Sequence, residues 1–235
     1  MDIGKVGVWF FLDGMAAPET ADFARAVEKA GYNTLWIPEA VGREPFAHAA
    51  YLLNNTERLS IATGIANIWA RDAYTMAAAT NTVAESSGGR FVLGIGVSHK
   101  PIVSNLRGHD YNKPYSYMKE YLPNLKDIFY QAPKPKEPAP IVIAALHPKM
   151  LALSAEQAQG THTYFVPPEH TAMVRQQIGP DAWICAAQAV ILEKDPGKAR
   201  EAARNYMKTY VPRLPNYTNN LKNLGWKDAD FEDGC

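Results

Sequence analysis

The stretch Arg90-Phe91-Val92-Leu93-Gly94-Ile95-Gly96-Val97-Ser98-His99 decides the predicted fold. Its apolar run is too short for a helix and ends in glycines and then in polar side chains. This pattern is typical of a buried parallel strand that delivers a site at its carboxyl end. Gly94 and Gly96 lack a Cβ, so a ligand or a neighbouring backbone can approach them closely. Ser98 and His99 follow, where an α/β protein keeps its reactive groups.

The composition describes an ordinary globular protein and argues against several classes of partner. The 235 residues are 47% hydrophobic and 20% charged, and 24 Lys and Arg balance 24 Asp and Glu. Zero formal net charge argues against a general nucleic-acid binder, and no apolar run reaches the length of a membrane span. Cys185 and Cys235 have neither disulfide nor metal-site spacing. We therefore expect a buried thiol at Cys185, no metal, and a reducing cytoplasm.

Strand and helix patterns alternate seven times along the chain. The predicted strands cover residues 6–12, 34–38, 59–69, the stretch quoted above, 141–145, 161–166 and 183–192. The predicted helices cover about 18–30, 45–53, 72–86, 114–130, 148–158, 168–178 and 196–210. Residues 100–113 are predicted to be a long loop. Such alternation indicates a parallel sheet with its helices outside.

Periodicity alone leaves two architectures open. A doubly wound open sheet uses about this many strands, whereas a (β/α)₈ barrel needs one more strand and helix. We predict a single domain over residues 1–235 with an irregular tail at 211–235. The tail suggests that the chain stops short of a final βα unit, by truncation, processing or disorder. A barrel without that unit would leave the edges of its first and seventh strands exposed.

Five motifs together resemble the luciferase-like monooxygenase superfamily, and more closely its coenzyme F420-dependent oxidoreductase branch. They are GVW at 7–9, GYNTLW at 31–36, ATGIANIW at 62–69, GRFVLGIGVSH at 89–99 and AALHPKM at 144–150. The resemblance implies a TIM-like (β/α)₈ barrel of the bacterial-luciferase type, here lacking its eighth βα unit. It also implies a flavin or F420 at the carboxyl ends of the strands and, as is common in the family, a homodimer.

The resemblance assigns cofactor-binding positions on three strands. The third strand of the family carries a bulge, often with a non-prolyl cis peptide, that backs the central ring of the cofactor; here the matching positions are Ala66, Asn67 and Ile68. An ordinary glycine-broken strand is the alternative. The other predicted cofactor-binding residues are Gly96, Ser98 and His99 after the fourth strand, and Ala144, Ala145, Leu146 and His147 after the fifth. The last four lead into a helix N-terminus, a common phosphate site, although Leu146 replaces a residue that is usually small.

Two ionisable side chains are candidate catalytic residues. A neutral His99 imidazole can donate to a ring or relay a proton, and a carboxylate at Glu39, after the second strand, can act as acid or base. His99 can equally be a structural histidine, and Glu39 a capping or salt-bridged residue. The family often has a histidine after this acidic residue, but Ala40 stands here. A mechanism that needs that histidine is therefore in doubt.

Trp9 and Trp69 lie near the predicted rim, where either ring can wall an apolar substrate pocket or simply fill the core. The leading hypothesis is an oxidoreductase that transfers a hydride between F420 and a small organic substrate. One alternative is an FMN-dependent monooxygenase that oxygenates its substrate with reduced flavin. The other is a non-catalytic paralogue that binds flavin or F420.

Overall fold

The computed structural model describes residues 1–211 and 213–234, so Cys235 lies outside the described residues. The strands are β1 (Val8–Trp9), β2 (Thr34–Ile37), β3 (Ser60–Thr63), β4 (Ala66–Asn67), β5 (Phe91–Gly96), β6 (Ile141–Ala144), β7 (Gly160–Tyr164) and β8 (Trp183–Ala187). The helices are α1 (Ala17–Lys29), α2 (Pro45–Asn54), α3 (Ala73–Ser86), α4 (Pro114–Lys126), α5 (Pro148–Gln157), α6 (Pro168–Ile178), α7 (Pro196–Tyr210) and α8 (Pro215–Asn223).

All strand pairs are parallel, and the sheet curls until it is nearly a closed barrel. The order is β1-β2-β3-β5-β6-β7-β8, with β4 paired beside β5 above β3. Within residues 1–211 and 213–234, β1 and β8 do not pair with each other. The predicted parallel barrel is confirmed, and its first and last strands have free edges as expected.

Alternating side chains on β5 divide the core into two layers. Phe91, Leu93 and Ile95 point outward into the main core between the sheet and the helices. Val92 points inward and packs with Trp36 and the small inner side chains of β3 and β6. This alternation follows from the two-residue period of a strand. It leaves Gly94 and Gly96 on the inner face.

Capping residues and prolines at the helix N-termini place the helices close to their predicted bounds. Asp72 caps α3, its carboxylate accepting from the Thr75 backbone N–H at 2.8 Å, and Asp195 caps α7 in the same way. Proline stands in the first turn of most of the others, where its missing N–H costs no hydrogen bond. None of the helices described is both long and apolar enough to cross a membrane.

Six predicted segments differ from the structure. The first strand is reduced to Val8–Trp9, and the helix predicted over 114–130 ends at Lys126. The third strand is interrupted at residues 64–65 and becomes β3 and β4. The predicted seventh strand, which is β8, ends at Ala187. Its partner β7 ends opposite, at Tyr164, because the chain after β7 turns away through Phe165, whose backbone is left-handed. The loop at 100–113 contains a π-helical turn, Pro101–Leu106. The tail is not irregular: it contains α8 and a 3₁₀ turn, Asp228–Gly234, since Pro215 starts a helix that buries Tyr217 and Leu221.

Candidate functional site

The carboxyl ends of the strands meet at one end of the barrel, here called the mouth. Below it the barrel is filled. The Trp36 and His162 rings stack with centroids 5.1 Å apart, and His162 Nδ1–H donates to the Cys185 carbonyl at 2.7 Å. Burial lowers the pKa of His162 and raises that of the Cys185 thiol to about 12. Any ligand must therefore bind above this layer.

A bulge between β3 and β4 forms part of the mouth. The Gly64–Ile65 peptide is cis, and the half-buried Ile65 side chain lies over Gly96 of β5. A Cβ at Gly96 would come within 2.7 Å of Ile65 Cδ1 and 3.0 Å of Ala144 Cβ. Gly96 thus makes room for the bulge, and Ile65 beside Ala144 provides the apolar surface. Sequence reasoning missed Ile65, although Gly64 was the available signal.

The three positions predicted to carry the bulge lie just beyond it. Ala66 and Asn67 pair with Ile95 and Gly96, and the Ile68 N–H donates to the Gly96 carbonyl at 3.1 Å. All three side chains are buried. Ala66 and Ile68 pack in the outer core and support the bulge from behind, whereas Asn67 is paired with the inner-facing Gly96, and its Oδ1 accepts from the Trp69 backbone N–H. The predicted position is therefore corrected to Gly64–Ile65, because ladder pairing with β5 resumes at Ala66.

Glu39 follows β2 and is held in a network of ion pairs. Its Oε2 accepts from Arg71 Nη1 and from the Asn67 backbone N–H, both at 2.8 Å, and its Oε1 accepts from Arg107 Nη2 at 3.0 Å. The Glu39 side chain is only 4% exposed. Both carboxylate oxygens are therefore engaged, which favours an orienting role over proton transfer. Arg71 and Arg107 carried no sequence signal, because they meet Glu39 only when β2, β4 and β5 come together in the sheet.

Ser98 and His99 follow β5 as predicted. Ser98 has a left-handed backbone, with φ of 53°, and this turns the chain across the mouth. His99 Nε2 lies 3.3 Å from the Tyr217 hydroxyl of α8, and the two ring centroids are 5.3 Å apart. Burial lowers the pKa of His99, and a hydrogen bond to the Asn216 side chain partly opposes this. The imidazole is therefore neutral at pH 7.

The predicted cofactor-binding residues 144–147 lie where β6 ends and α5 begins. Ala144 is half-buried beside Gly96, whereas Ala145 is buried and its N–H donates to the His162 carbonyl at 3.2 Å. The Leu146 carbonyl accepts from His170 Nε2–H at 2.9 Å. His147 caps α5 by position but not with its side chain, so its half-buried ring remains available to a ligand. Burial and the nearby His170 lower its pKa.

The two candidate tryptophans lie on different sides of the sheet. Trp9 packs with the inner layer, and its Nε1–H donates to the Gly64 carbonyl at 3.0 Å, directly below the bulge. Trp69 packs against the outer core, stacked on Tyr117 of α4 at 4.2 Å, and its Nε1–H donates to the Val97 carbonyl. The geometry therefore favours Trp9 as a wall of the mouth and gives Trp69 a supporting role.

Sequence reasoning missed a group of four tyrosines on the other side of the mouth, here called the tyrosine cluster (Tyr164, Tyr206, Tyr210 and Tyr217). The Tyr164 hydroxyl, at the end of β7, lies 2.7 Å from each of the Tyr206 and Tyr210 hydroxyls of α7. The Tyr164 ring also contacts Trp9 at 4.8 Å. Burial raises the pKa of Tyr206 to about 12 and raises those of Tyr164 and Tyr217 further.

Comparison with known proteins agrees with this geometry. The sequence model described as luciferase-like monooxygenase matches residues 5–234. The chain belongs to this family. The chain is 28% identical to a 5,10-methylenetetrahydromethanopterin reductase of Archaeoglobus fulgidus, over 85% of this chain and 68% of that protein. It is 25% identical to a Mycobacterium tuberculosis protein provisionally named a coenzyme F420-dependent oxidoreductase, over 88% of this chain and 71% of that one.

Solved structures in the family share the fold. An F420-dependent secondary alcohol dehydrogenase, in complex with an F420-acetone adduct, superposes with a TM-score of 0.75 at 15% identity, covering 88% of this chain and 76% of that one. The coenzyme F420-dependent tetrahydromethanopterin reductase of Methanopyrus kandleri gives 0.70 at 17% identity, with 86% and 71% covered. The predicted luciferase-like fold and oxidoreductase family are therefore confirmed.

Proposed function

We propose that this chain is an F420-dependent oxidoreductase that transfers a hydride between the deazaflavin and a small organic substrate. The observation that carries the proposal is the apolar platform at the mouth, where Ile65 of the bulge lies over Gly96 beside Ala144. A flat heterocyclic ring can bind against such an apolar surface. A Cβ at Gly96 would push the Ile65 side chain out of this position. The Mycobacterium tuberculosis relative, provisionally named a coenzyme F420-dependent oxidoreductase, supports the choice of cofactor.

The residues at the mouth fit a ring with an anionic tail. Ile65 and Ala144 would contact the ring, and the start of α5 with His147 would hold the tail, because free N–H groups and the helix dipole favour an anion there. F420, when bound, would supply the hydride chemistry, and the protein would supply orientation and exclusion of water. Trp9 and Tyr164 close the mouth on the side of β1 and β7.

Two ionisable residues would then have different roles. Glu39 would hold the loop that carries Arg107 against the bulge, since Asn67, Arg71 and Arg107 all donate to it. His99 is neutral and half-buried, and its ring would provide a hydrogen-bonding group at the polar end of the site. Homodimer formation and a cytoplasmic location remain predictions.

Fluorescence titration of the purified protein with F420 and with FMN tests the proposal. We expect saturable binding of F420 and a lower affinity for FMN. Replacing Ile65 by Asp puts a charge on the platform, so F420 affinity should fall at least tenfold, whereas Ile65→Val should stay within about threefold of wild type. Circular dichroism checks that both variants are folded.

Each contrary result has a definite meaning. Preference for FMN would replace hydride transfer by the flavin-dependent oxygenation that other members of the family perform. Binding of neither cofactor to the folded protein would contradict the proposal and favour the non-catalytic alternative. Unchanged F420 binding by Ile65→Asp would show that the platform is not the ring site.

A further inference from the structure

One face of α8 is buried against the barrel. It consists of Tyr217, Asn220 and Leu221, whose spacing of three and four residues places them on the same side of the helix. Tyr217 brings this face to the mouth, because its hydroxyl lies 3.3 Å from His99 Nε2. This face therefore reaches His99 through Tyr217, and it is separate from the ring platform formed by Ile65 and Ala144.

Asn220 has a buried donor without an acceptor. The residue is 2% exposed, and its Nδ2 makes no hydrogen bond within the part of the chain that the structure describes. Leaving a buried amide N–H unpaired costs on the order of 1–3 kcal/mol, so such groups are ordinarily completed by a water or a ligand. The amide thus points to an acceptor that comes from outside the chain.

The groups around Asn220 favour an acceptor oxygen that carries no charge. Burial raises the pKa of Tyr217, so that its hydroxyl keeps the proton, and burial lowers the pKa of His99, so that its ring stays neutral. Leu221 completes an apolar face. The guanidinium groups of Arg71 and Arg107 are committed to Glu39 and cannot also neutralise a carboxylate here. A carbonyl or hydroxyl oxygen on an apolar molecule suits this arrangement.

We propose that Asn220, about one helical turn from Tyr217 on the buried face of α8, is the subsite that binds a neutral oxygen of the substrate, a ketone, aldehyde or alcohol. The Asn220 amide donates to that oxygen, and Leu221 and the tyrosine rings contact the carbon skeleton. His99 acts as a positioning residue that holds the Tyr217 side chain at this face. This proposal rests on the proposed function only where it identifies the ligand as the substrate.

The test compares two ring compounds of the same shape. Cyclohexanone has the acceptor oxygen, and methylenecyclohexane has a carbon in its place. Binding to ¹⁵N-labelled protein is followed by NMR at the Asn220 side-chain amide and at the His99 ring, first without F420 and then with it. We expect cyclohexanone, and not methylenecyclohexane, to shift the Asn220 amide resonance.

Asn220→Leu removes the donor, and Asn219→Leu is the matched control because Asn219 lies on the exposed side of α8. Cyclohexanone affinity, read at His99, should fall about tenfold in Asn220→Leu and stay unchanged in Asn219→Leu. Circular dichroism checks that Asn220→Leu is folded, because leucine is bulkier than asparagine and the position is buried. If Asn220→Leu does not fold, Asn220→Ala removes the donor without adding bulk or charge.

Three results would overturn the subsite. They are equal binding of the two ring compounds, unchanged cyclohexanone affinity in the folded Asn220 variants, and no saturable cyclohexanone binding to wild type. A lower thermal midpoint with unchanged affinity would identify an amide completed by a structural water. Because cyclohexanone is tested without F420, failure to bind the cofactor would count against the proposed function and leave this result standing.

Discussion

The two sides of the barrel mouth are built from opposite kinds of interaction. On the β2 side, Glu39 is fixed by full charges on Arg71 and Arg107. On the β7 side, the tyrosine cluster is fixed by neutral hydroxyls that lie 2.7 Å apart. A buried charge destabilises strongly when it loses its partner, whereas a neutral hydroxyl loses only a modest hydrogen bond. The ionic side should therefore be the rigid half, and the tyrosine side the half that adapts to a ligand.

Removing the central carboxylate should have the largest effect. Glu39→Leu leaves Arg71, whose side chain is only 11% exposed, with the half-exposed Glu44 as its remaining carboxylate partner. The free energy of unfolding should fall by about 3–5 kcal/mol in urea denaturation. Adding Arg71→Met to Glu39→Leu should recover part of this loss, since no buried charge then lacks a partner.

The control for this prediction is Glu156→Leu, at an exposed position of α5. It should change the free energy of unfolding by less than about 0.5 kcal/mol. An equally small change for Glu39→Leu would mean that the ionic side is solvated and that the two sides of the mouth do not differ as described.

The tyrosine side should lose less when its central hydroxyl is removed. Tyr164→Phe deletes two hydrogen bonds at once, to Tyr206 and Tyr210, and should cost about 1–3 kcal/mol of unfolding free energy. Tyr32→Phe is the matched control, because Tyr32 is exposed and lies before β2, at the opposite end of the barrel. A loss as large as that of Glu39→Leu would contradict the ranking of the two sides.

The same cluster should make stability depend on alkaline pH. Tyr206 has a pKa of about 12 in the folded protein and about 10 when unfolded, so the unfolded chain loses this proton first. The contribution of the folded, protonated tyrosine is present below pH 10 and is lost as the pH rises from 10 to 12. Tyr206→Phe removes this titrating hydroxyl and should flatten the decline, which urea unfolding at several pH values would measure.

The elements of the fold were more predictable than the contacts at its mouth. Strand and helix order, the glycines of β5 and the place of His99 followed from local patterns such as short apolar runs and helix caps. The position of Ile65 did not, because Gly64 indicates that the strand is interrupted but not which side chain then faces the mouth. Only the renewed pairing of Ala66 with Ile95 shows where the bulge begins.

The partners of the candidate site residues were unpredictable for a related reason. Arg107 is 68 residues from Glu39 in sequence, and Tyr217 is 118 residues from His99. No spacing rule connects such positions, since closure of the barrel brings them together. The tyrosines of the cluster were visible in the sequence, but their meeting depends on α8 bringing Tyr217 next to His99, which the irregular tail prediction excluded.

The smallest predicted effect tests whether the ionic side is rigid throughout or only at its centre. Arg107 follows the π-helical turn and is 30% exposed, and Glu39 keeps Arg71 and the Asn67 N–H without it. Arg107→Met should therefore lower the unfolding free energy by less than about 1 kcal/mol, and the difference from wild type should shrink in 1 M NaCl. Hydrogen exchange of residues 101–107 should nevertheless rise, because the turn loses its tie to β2.

The control is Lys136→Met, on the exposed connector before β6, which should alter neither stability nor exchange in 101–107. If Arg107→Met left that exchange unchanged, the turn would be held by its own backbone bonds, such as that from Arg107 N–H to the Ile102 carbonyl. The rigid half of the mouth would then end at Arg71, and the loop after β5 would adapt to a ligand together with the tyrosine cluster.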